Sequence, residues 1–151
     1  VADQGFSPGA AAFARLEGVW YGDGSVFFNA TSGGNAGLGQ VWEYRPSANS
    51  DGQLVLVYES VSPADLDSPD NICVSPRGGL VLCEDGDEDQ YVRGLTTGGE
   101  IFDFALNLVS ENRDKEFAGA NFSPDGQVLF VNIHIPGISF AITGPWHEGA
   151  L

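Results

Sequence analysis

The sequence is poor in basic residues, contains no methionine and has no long apolar run. Six Lys and Arg stand against 21 Asp and Glu, which gives a formal net charge of −15. A nucleic-acid partner is therefore disfavoured, because the phosphate backbone would be repelled. The apolar runs are too short to span a bilayer, and the first residues carry no targeting signal. Because methionine is absent, we expect the chain to be processed or to belong to a longer polypeptide.

Familiar catalytic motifs are also missing. The two histidines, His134 and His147, do not form a zinc-protease motif, and the sequence has neither a nucleophile elbow nor a P-loop. His134 follows Asn132 on an alternating strand, and we predict it to be a partly buried, hydrogen-bonded histidine. Cys73 and Cys83 flank one hairpin, where we favour an apolar filling role and leave a disulfide as the alternative.

Glycine is abundant, with 21 residues, about twice the usual share. It occurs together with β-branched and aromatic residues, a combination typical of many short strands joined by tight turns. No amphipathic helical pattern of any length interrupts these segments. The composition therefore predicts an all-β protein.

One pattern recurs three times along the chain: an acid, a short apolar strand, a glycine turn and a second apolar strand. The turn glycines Gly24, Gly79 and Gly126 are 55 and 47 residues apart. A period near 50 residues is typical of β-propeller blades. We predict about three four-stranded blades, approximately at 13–60, 61–108 and 109–147, with only one strand after the last hairpin. An ordinary sandwich is the alternative, but it does not explain the repeat.

Three blades do not close a ring. An open set would expose sheet edges and apolar faces that neighbouring blades should cover. We therefore expect the missing part of the propeller, or another protein chain, to complete the fold. Residues 1–151 alone should not form a stable monomer.

Acidic residues open each repeat: Glu17, Asp70 and Glu116. Equivalent positions of neighbouring blades converge on the axis of a propeller, where carboxylates repel one another unless cations neutralise them. The ends of the second strands suggest a further polar ring, formed by Asn29, Glu84, Asp85 and Asn132. Oxygen ligands of these types are those that Ca²⁺ prefers.

The acidic run at 84–89 superficially suggests a calcium loop. It lacks the twelve-residue spacing of an EF-hand, so we interpret Asp87, Glu88 and Asp89 as mostly solvated. A single acid before a strand is also more often a turn or surface residue than a ligand. The repetition of the acids therefore carries more weight than any one of them.

Several segments resemble, in order, the C-terminal part of the PhoX family of alkaline phosphatases. They are Arg-Leu-Glu-Gly-Val-Trp-Tyr (15–21), Thr-Ser-Gly-Gly (31–34), Gly-Gln-Val-Trp-Glu-Tyr (39–44), Asp-Asn-Ile-Cys-Val-Ser-Pro-Arg-Gly-Gly and the residues after it (70–86), Glu-Phe-Ala-Gly-Ala-Asn-Phe-Ser-Pro-Asp-Gly (116–126) and Thr-Gly-Pro-Trp (143–146). The resemblance covers nearly the whole chain, which makes it more specific than any single motif.

The resemblance implies a six-bladed propeller that is exported to the periplasm or the outside of the cell. It implies hydrolysis of phosphomonoesters at an axial cluster of Ca²⁺ and Fe³⁺. Carried over by position, the metal ligands are Glu17 first, then Glu84, Asp85 and Glu116, and then Asp70 and Asn71. The N-terminal half of the family's propeller supplies other ligands, including a cysteine on iron.

Two other interpretations remain open. The chain can be a non-catalytic propeller segment that serves as a structural or binding subunit of a larger assembly. It can also belong to another propeller hydrolase, such as a lactonase, with a similar axial carboxylate–calcium site. Fold alone does not decide between them.

Overall fold

The protein is an all-β chain in a computed structural model that describes residues 4–5 and 7–151. Its strands are short and consecutive. They are β1 (Leu16–Gly22), β2 (Ser25–Ala30), β3 (Gln40–Arg45), β4 (Gln53–Glu59), β5 (Pro69–Val74), β6 (Leu80–Glu84), β7 (Tyr91–Leu95), β8 (Ile101–Leu106), β9 (Phe117–Phe122), β10 (Val128–Ile133) and β11 (Ile138–Thr143).

These strands form three antiparallel sheets. Sheet 1 has the order β1-β2-β3-β4, sheet 2 the order β5-β6-β7-β8, and sheet 3 contains β9, β10 and β11 with β10 in the middle. Each strand pairs with its neighbour in the sequence, as expected for hairpins joined by short turns. The all-β prediction is confirmed. Two of the three predicted blades are four-stranded sheets, and the third sheet has three strands.

The sheets pack through their first strands, with β1 against β5 and β5 against β9. At Gly18 in β1 a Cβ atom would lie 2.5 Å from the backbone oxygen of Asp70, so only glycine permits this close approach. Between sheets 2 and 3, the Oδ1 atom of Asn71 accepts a hydrogen bond of 2.9 Å from the backbone N–H of Ala120. The starts of β1, β5 and β9 are therefore held side by side.

Two apolar clusters fill the spaces between the sheets. The first, which contains Ile72 and Leu82, lies between sheets 1 and 2, and the second, which contains Val81 and Leu129, lies between sheets 2 and 3. Sheet 2 is thus covered on both faces, and every residue of β6 is buried. Such a strand reads as a continuous apolar run without alternation.

Cys73 and Cys83 belong to the second cluster and are free thiols. Burial raises the pKa of Cys73 to about 12 and also raises that of Cys83. Both therefore stay protonated and fill apolar space, as favoured from the sequence.

The turn register differs from the prediction in one hairpin. Gly24 and Gly126 have positive φ angles of 78° and 70°, which tight turns require. In the second hairpin the corresponding residue is Gly78, with a φ of 88°, whereas Gly79 is absent from the positive-φ positions. The predicted Gly79 was wrong by one residue, because the Pro-Arg-Gly-Gly turn offers two adjacent glycines.

The face of sheet 1 that points away from sheet 2 carries exposed apolar side chains. Val19 and Tyr21 of β1 are 62% and 70% exposed, and Leu54 and Leu56 of β4 are also exposed. They alternate along their strands with residues that point towards sheet 2.

Among the described residues, no helix is long and apolar enough to cross a membrane.

Candidate metal centre

Three carboxylates converge at one end of sheets 2 and 3. Ligand oxygens of Asp70, Asp85 and Glu116 all lie within 4.8 Å of one another, and all three residues are partly buried. We call this set the carboxylate cluster. No other such grouping of His, Cys, Asp or Glu occurs among the described residues.

The hairpin geometry explains why these acids meet. Asp70 lies at a bulge near the start of β5, and Asp85 follows the last residue of β6. Because β5 and β6 are antiparallel, the start of one lies beside the end of the other. Glu116 directly precedes β9, which packs next to β5. The cluster therefore combines acids that are far apart in the sequence.

The electrostatics of the cluster favour a positive ligand. The pKa of Asp70 is raised to about 6, first by burial and then by the negative charges of Glu17, Glu116 and Asp85. A carboxyl group with a raised pKa is one whose ionised form is destabilised by its surroundings. A bound cation would remove that repulsion and restore full ionisation.

Glu17 lies at the edge of the carboxylate cluster. Its carboxyl group contacts that of Asp70 and contributes to the raised pKa of that residue. It is not one of the three mutually close acids. One of its oxygens, Oε1, accepts a hydrogen bond of 3.2 Å from Nη2 of Arg15. Its predicted role as the strongest ligand stays a prediction.

Arg15, which lies in one of the segments that resemble the family, was not predicted to take part in the site. Its Nη2 atom lies 3.2 Å from Oε1 of Glu17 and 3.4 Å from Oδ2 of Asp85, so it links sheets 1 and 2 across the site. The side chain remains half-exposed. Its place two residues before Glu17 was the available signal, but strand alternation would not have predicted the contact, because Arg15 precedes β1 and has a positive φ of 51°.

Glu84 is placed differently from its neighbour Asp85. It is almost completely buried, and its Oε1 atom accepts a bond of 2.8 Å from Nε of Arg93. Its carboxylate also accepts bonds from the backbone N–H groups of Asp67 and Tyr91, at 2.8 and 3.2 Å. Burial raises the pKa of Glu84, and these donors oppose the rise. The structure therefore gives this predicted ligand a set of protein partners.

Of the other polar residues predicted near the site, Asn71 and Asn132 form hydrogen bonds within the protein, and Asn29 has no partner among the described residues. Oδ1 of Asn71 bonds to β9, as described above. Asn132 donates to the carbonyl of Ala118 and accepts from Ser139. The amide of Asn29 is buried without a hydrogen-bond partner among the described residues. Asp87, Glu88 and Asp89 are exposed, in agreement with solvated side chains.

The three opening acids are not equivalent in the structure. In each sheet, one backbone hydrogen bond joins the residue after the second strand to a residue just before the first strand. The N–H of Thr31 donates to the carbonyl of Arg15, that of Asp85 to Ser68 and that of His134 to Glu116. Glu17 and Asp70 each follow their acceptor by two residues, whereas Glu116 is itself the acceptor. The predicted register of Glu116 was therefore wrong by two residues, although its side chain still reaches the cluster.

The same equivalence places His134 at the position of Asp85. Its side chain is 63% exposed, and its Nδ1 atom is hydrogen-bonded to Oε1 of Glu116. It is therefore not the partly buried histidine that we predicted. The two residues border a small pocket of about 140 Å³. The other residues that line this pocket are Asp85, Asp114, Lys115 and Ile135.

Comparison with protein families identifies the chain. Residues 2–137 match the model of the family described as alkaline phosphatase PhoX. The chain belongs to the PhoX alkaline phosphatase family. This is a family of metal-dependent phosphatases, generally extracellular or periplasmic. The resemblance noted in the sequence is confirmed.

Among solved structures, the PhoX-family chain is similar to virginiamycin B lyase from Staphylococcus aureus, a β-propeller-like protein. The TM-score is 0.53 with 16% identity, over 86% of this chain and 41% of the lyase chain. At this identity the likeness shows the fold alone. The chain spans less than half the length of the lyase. No curated protein matches the sequence.

The donor set of this PhoX-family chain fits a hard cation. Carboxylate oxygens are preferred by Ca²⁺ and are also suitable for ferric iron. Asp70 lies close to Glu17, Asp85 and Glu116, and their negative charges add to the effect of burial in raising its pKa. Neither cysteine fits an iron ligand, because both thiols are buried in the apolar cluster and have raised pKa values.

Proposed function

We propose that the chain forms part of a phosphomonoesterase and supplies a carboxylate site for Ca²⁺, with Fe³⁺ bound nearby through ligands from the rest of the propeller. The observation that carries this proposal is the convergence of Asp70, Asp85 and Glu116 in a member of the PhoX family. A purely structural use of these acids would leave their mutual repulsion only partly offset, by the exposed partners Arg15 and His134.

The chain's own residues have distinct roles in this proposal. Asp70, Asp85 and Glu116 hold the cation, and Glu17 adds negative charge at its edge. When bound, the metal supplies positive charge that stabilises the transferring phosphoryl group. Arg15 faces the same site with a half-exposed guanidinium group, whose planar donors suit a phosphate oxygen pair. Glu17 and Asp85 orient that guanidinium before the substrate arrives.

The complete enzyme requires more sheets than this chain provides. Exposed apolar residues on the free face of sheet 1 and the three-stranded sheet 3 support completion by further blades. We propose a six-bladed propeller, closed by the remaining half of the polypeptide or by another chain, in the periplasm or outside the cell. Calcium is abundant enough there to occupy a weak carboxylate site.

The test uses the full polypeptide that carries this segment. Hydrolysis of p-nitrophenyl phosphate is measured after chelation and after Ca²⁺ and Fe³⁺ are restored, for the native protein, Asp85→Asn and the control Asp87→Asn. We expect the native protein and the control to regain activity, and Asp85→Asn to lose at least about tenfold, the effect of about 1.4 kcal/mol.

Equal activity of all three proteins would remove the carboxylate cluster from the reaction. A native protein that binds cations but hydrolyses no phosphomonoester would favour the non-catalytic binding role. Lactone hydrolysis in the same preparation would favour the lactonase-like alternative.

A further inference from the structure

Glu84 connects the two strands that carry acids of the carboxylate cluster. Its carboxylate accepts a hydrogen bond of 2.8 Å from the backbone N–H of Asp67. Asp67 belongs to the segment that leads into β5 and Asp70. Glu84 itself is the last residue of β6, directly before Asp85. One side chain therefore fastens the approach to Asp70 onto the strand that ends at Asp85.

Two further bonds complete this connection. The Oε2 atom of Glu84 accepts a bond of 3.2 Å from the backbone N–H of Tyr91, the first residue of β7. The backbone N–H of Asp85 donates to the carbonyl of Ser68 at 2.9 Å. These bonds hold the two ends of the loop between β6 and β7, and they fix the backbone direction at Asp85, where the chain leaves β6.

Arg93 holds the carboxylate of Glu84 in place. Its side chain is 2% exposed, and its Nε atom lies 2.8 Å from Oε1 of Glu84. The guanidinium carbon lies 3.9 Å from the centroid of the Tyr91 ring. At its outer end, Nη1 contacts the carboxylate of Asp103, which is 60% exposed. The Glu84 end of this network is buried, whereas Asp103 at its outer end is exposed to solvent.

The arrangement is not explained by stability alone. Well-packed apolar residues are often as stabilising as a buried ion pair, because both ions lose their hydration. A carboxylate provides what apolar packing does not, namely directed acceptors for two separate backbone segments. Residues that orient metal ligands through hydrogen bonds commonly affect metal affinity tenfold or more.

We propose that Glu84 is a positioning residue that sets the spacing between Asp70 and Asp85 by binding the backbone of residues 67 and 91. Arg93 serves this arrangement by fixing the Glu84 carboxylate. The inference rests on the proposed metal-binding function. It also assigns Glu84 a role other than the direct ligation expected from the sequence.

The test compares Glu84→Gln with Asp103→Asn in the full polypeptide. The first substitution leaves one acceptor oxygen for three donors, whereas the second disturbs the same Arg93 network only at its exposed end. Binding of Tb³⁺, a luminescent substitute for Ca²⁺, is measured together with the melting temperature. We expect Glu84→Gln to weaken Tb³⁺ binding by about tenfold to a hundredfold. Asp103→Asn should bind Tb³⁺ as the native protein does, although it too lowers the melting temperature.

A second readout separates this inference from the proposed function. Hydrogen exchange of the Asp67 and Tyr91 amides should accelerate in Glu84→Gln and not in Asp103→Asn. If the native protein binds no Tb³⁺, the metal site is contradicted, and the exchange rates still decide whether Glu84 fixes the two segments. Unchanged exchange, or equal Tb³⁺ affinity in the native protein and Glu84→Gln, would overturn the positioning role.

Should Glu84→Gln fail to fold, Arg93→Lys replaces it. Lysine keeps the charge but cannot reproduce the planar contact of Nε with Oε1. A weaker Tb³⁺ affinity and faster exchange at Asp67 are again expected. Native values for both would contradict the inference.

Discussion

Glu84 and Asp85 are adjacent in the sequence, yet they occupy opposite electrostatic environments. Glu84 is buried against Arg93 and two backbone N–H groups, so its charge is compensated within the protein. Asp85 is partly exposed and lies among other acids, and among the described residues its one cationic contact is the half-exposed Arg15. The first arrangement is complete without a ligand, whereas the second leaves negative charge in excess.

This difference separates two functions of acidic residues that look alike in a sequence. A compensated acid orients the segments that it binds, and removing its partner destabilises the fold because a buried charge is left unpaired. An uncompensated cluster is unfavourable in the empty protein and becomes favourable when a cation binds. Substitutions in the compensated pair should therefore lower stability, whereas substitutions in the carboxylate cluster should lower cation affinity.

The largest effect should come from breaking the compensated pair. We expect Arg93→Leu to lower the free energy of unfolding by about 3–5 kcal/mol, because Glu84 would remain buried without its cation. Chemical denaturation measures the change. Arg15→Leu is the matched control, since that arginine is half-exposed and its ion pairs are screened by solvent. Similar losses in both variants would mean that burial does not distinguish the two sites.

The next effect concerns cation affinity. Asp85→Asn should weaken Ca²⁺ binding at least about tenfold, or by about 1.4 kcal/mol, because a neutral amide is a weaker ligand than a carboxylate. Calorimetric titration of the full polypeptide measures it. In chelator the variant should be no less stable than the native protein, since a repulsive charge has been removed. A large loss of stability without a loss of Ca²⁺ affinity would mean that Asp85 has a structural role like that of Glu84.

A smaller effect is expected in the pH dependence of stability. The pKa of Asp70 is about 6 in the folded protein, above the ordinary value of about 3.8. The folded state therefore binds more protons between these two values, and stability without metal should fall as pH rises from about 4 to about 6. Asp70→Asn should remove this contribution.

The measurement is the difference in melting temperature between the native protein and Asp70→Asn, in chelator, at about pH 4.5 and about pH 7, on either side of the raised pKa. The melting temperature of the variant should rise relative to that of the native protein at the higher pH. The difference should shrink or reverse when Ca²⁺ is added, because the cation favours the ionised carboxylate. A difference that does not vary with pH would contradict the crowding of charge around Asp70.

The smallest effect should come from the exposed acids beyond Asp85. Asp87→Asn and Glu88→Gln remove charges from the same loop, but their side chains are solvated. Ca²⁺ affinity and melting temperature should remain those of the native protein. A loss comparable to that of Asp85→Asn would extend the cation site into the loop.

Much of the fold was predictable because hairpins leave local signals. Turn glycines between short apolar segments, repeated about every 50 residues, located the three sheets, and the repeat together with the family resemblance identified the acids near the site. The difference between Glu84 and Asp85 was not predictable, because β6 is buried on both faces and lacks the alternation that would assign an inward side. The roles of Arg15 and His134 depend on contacts between strands and sheets.

The register of Glu116 illustrates the same limit. Its place in the sequence suggested equivalence to Glu17 and Asp70, but backbone pairing puts it two residues earlier. Only the packing of β9 against β5 brings its side chain to the other acids. Sequence spacing identified the acid, and tertiary packing determined its position.

The most direct test of the central claim is anomalous X-ray diffraction from crystals of the full polypeptide grown with Ca²⁺ and with Mn²⁺ as a substitute. We predict an anomalous peak bounded by the carboxylates of Asp70, Asp85 and Glu116, and no ion at Glu84. Crystals that bind the metal elsewhere, with these three acids in contact only with water or protein, would contradict it.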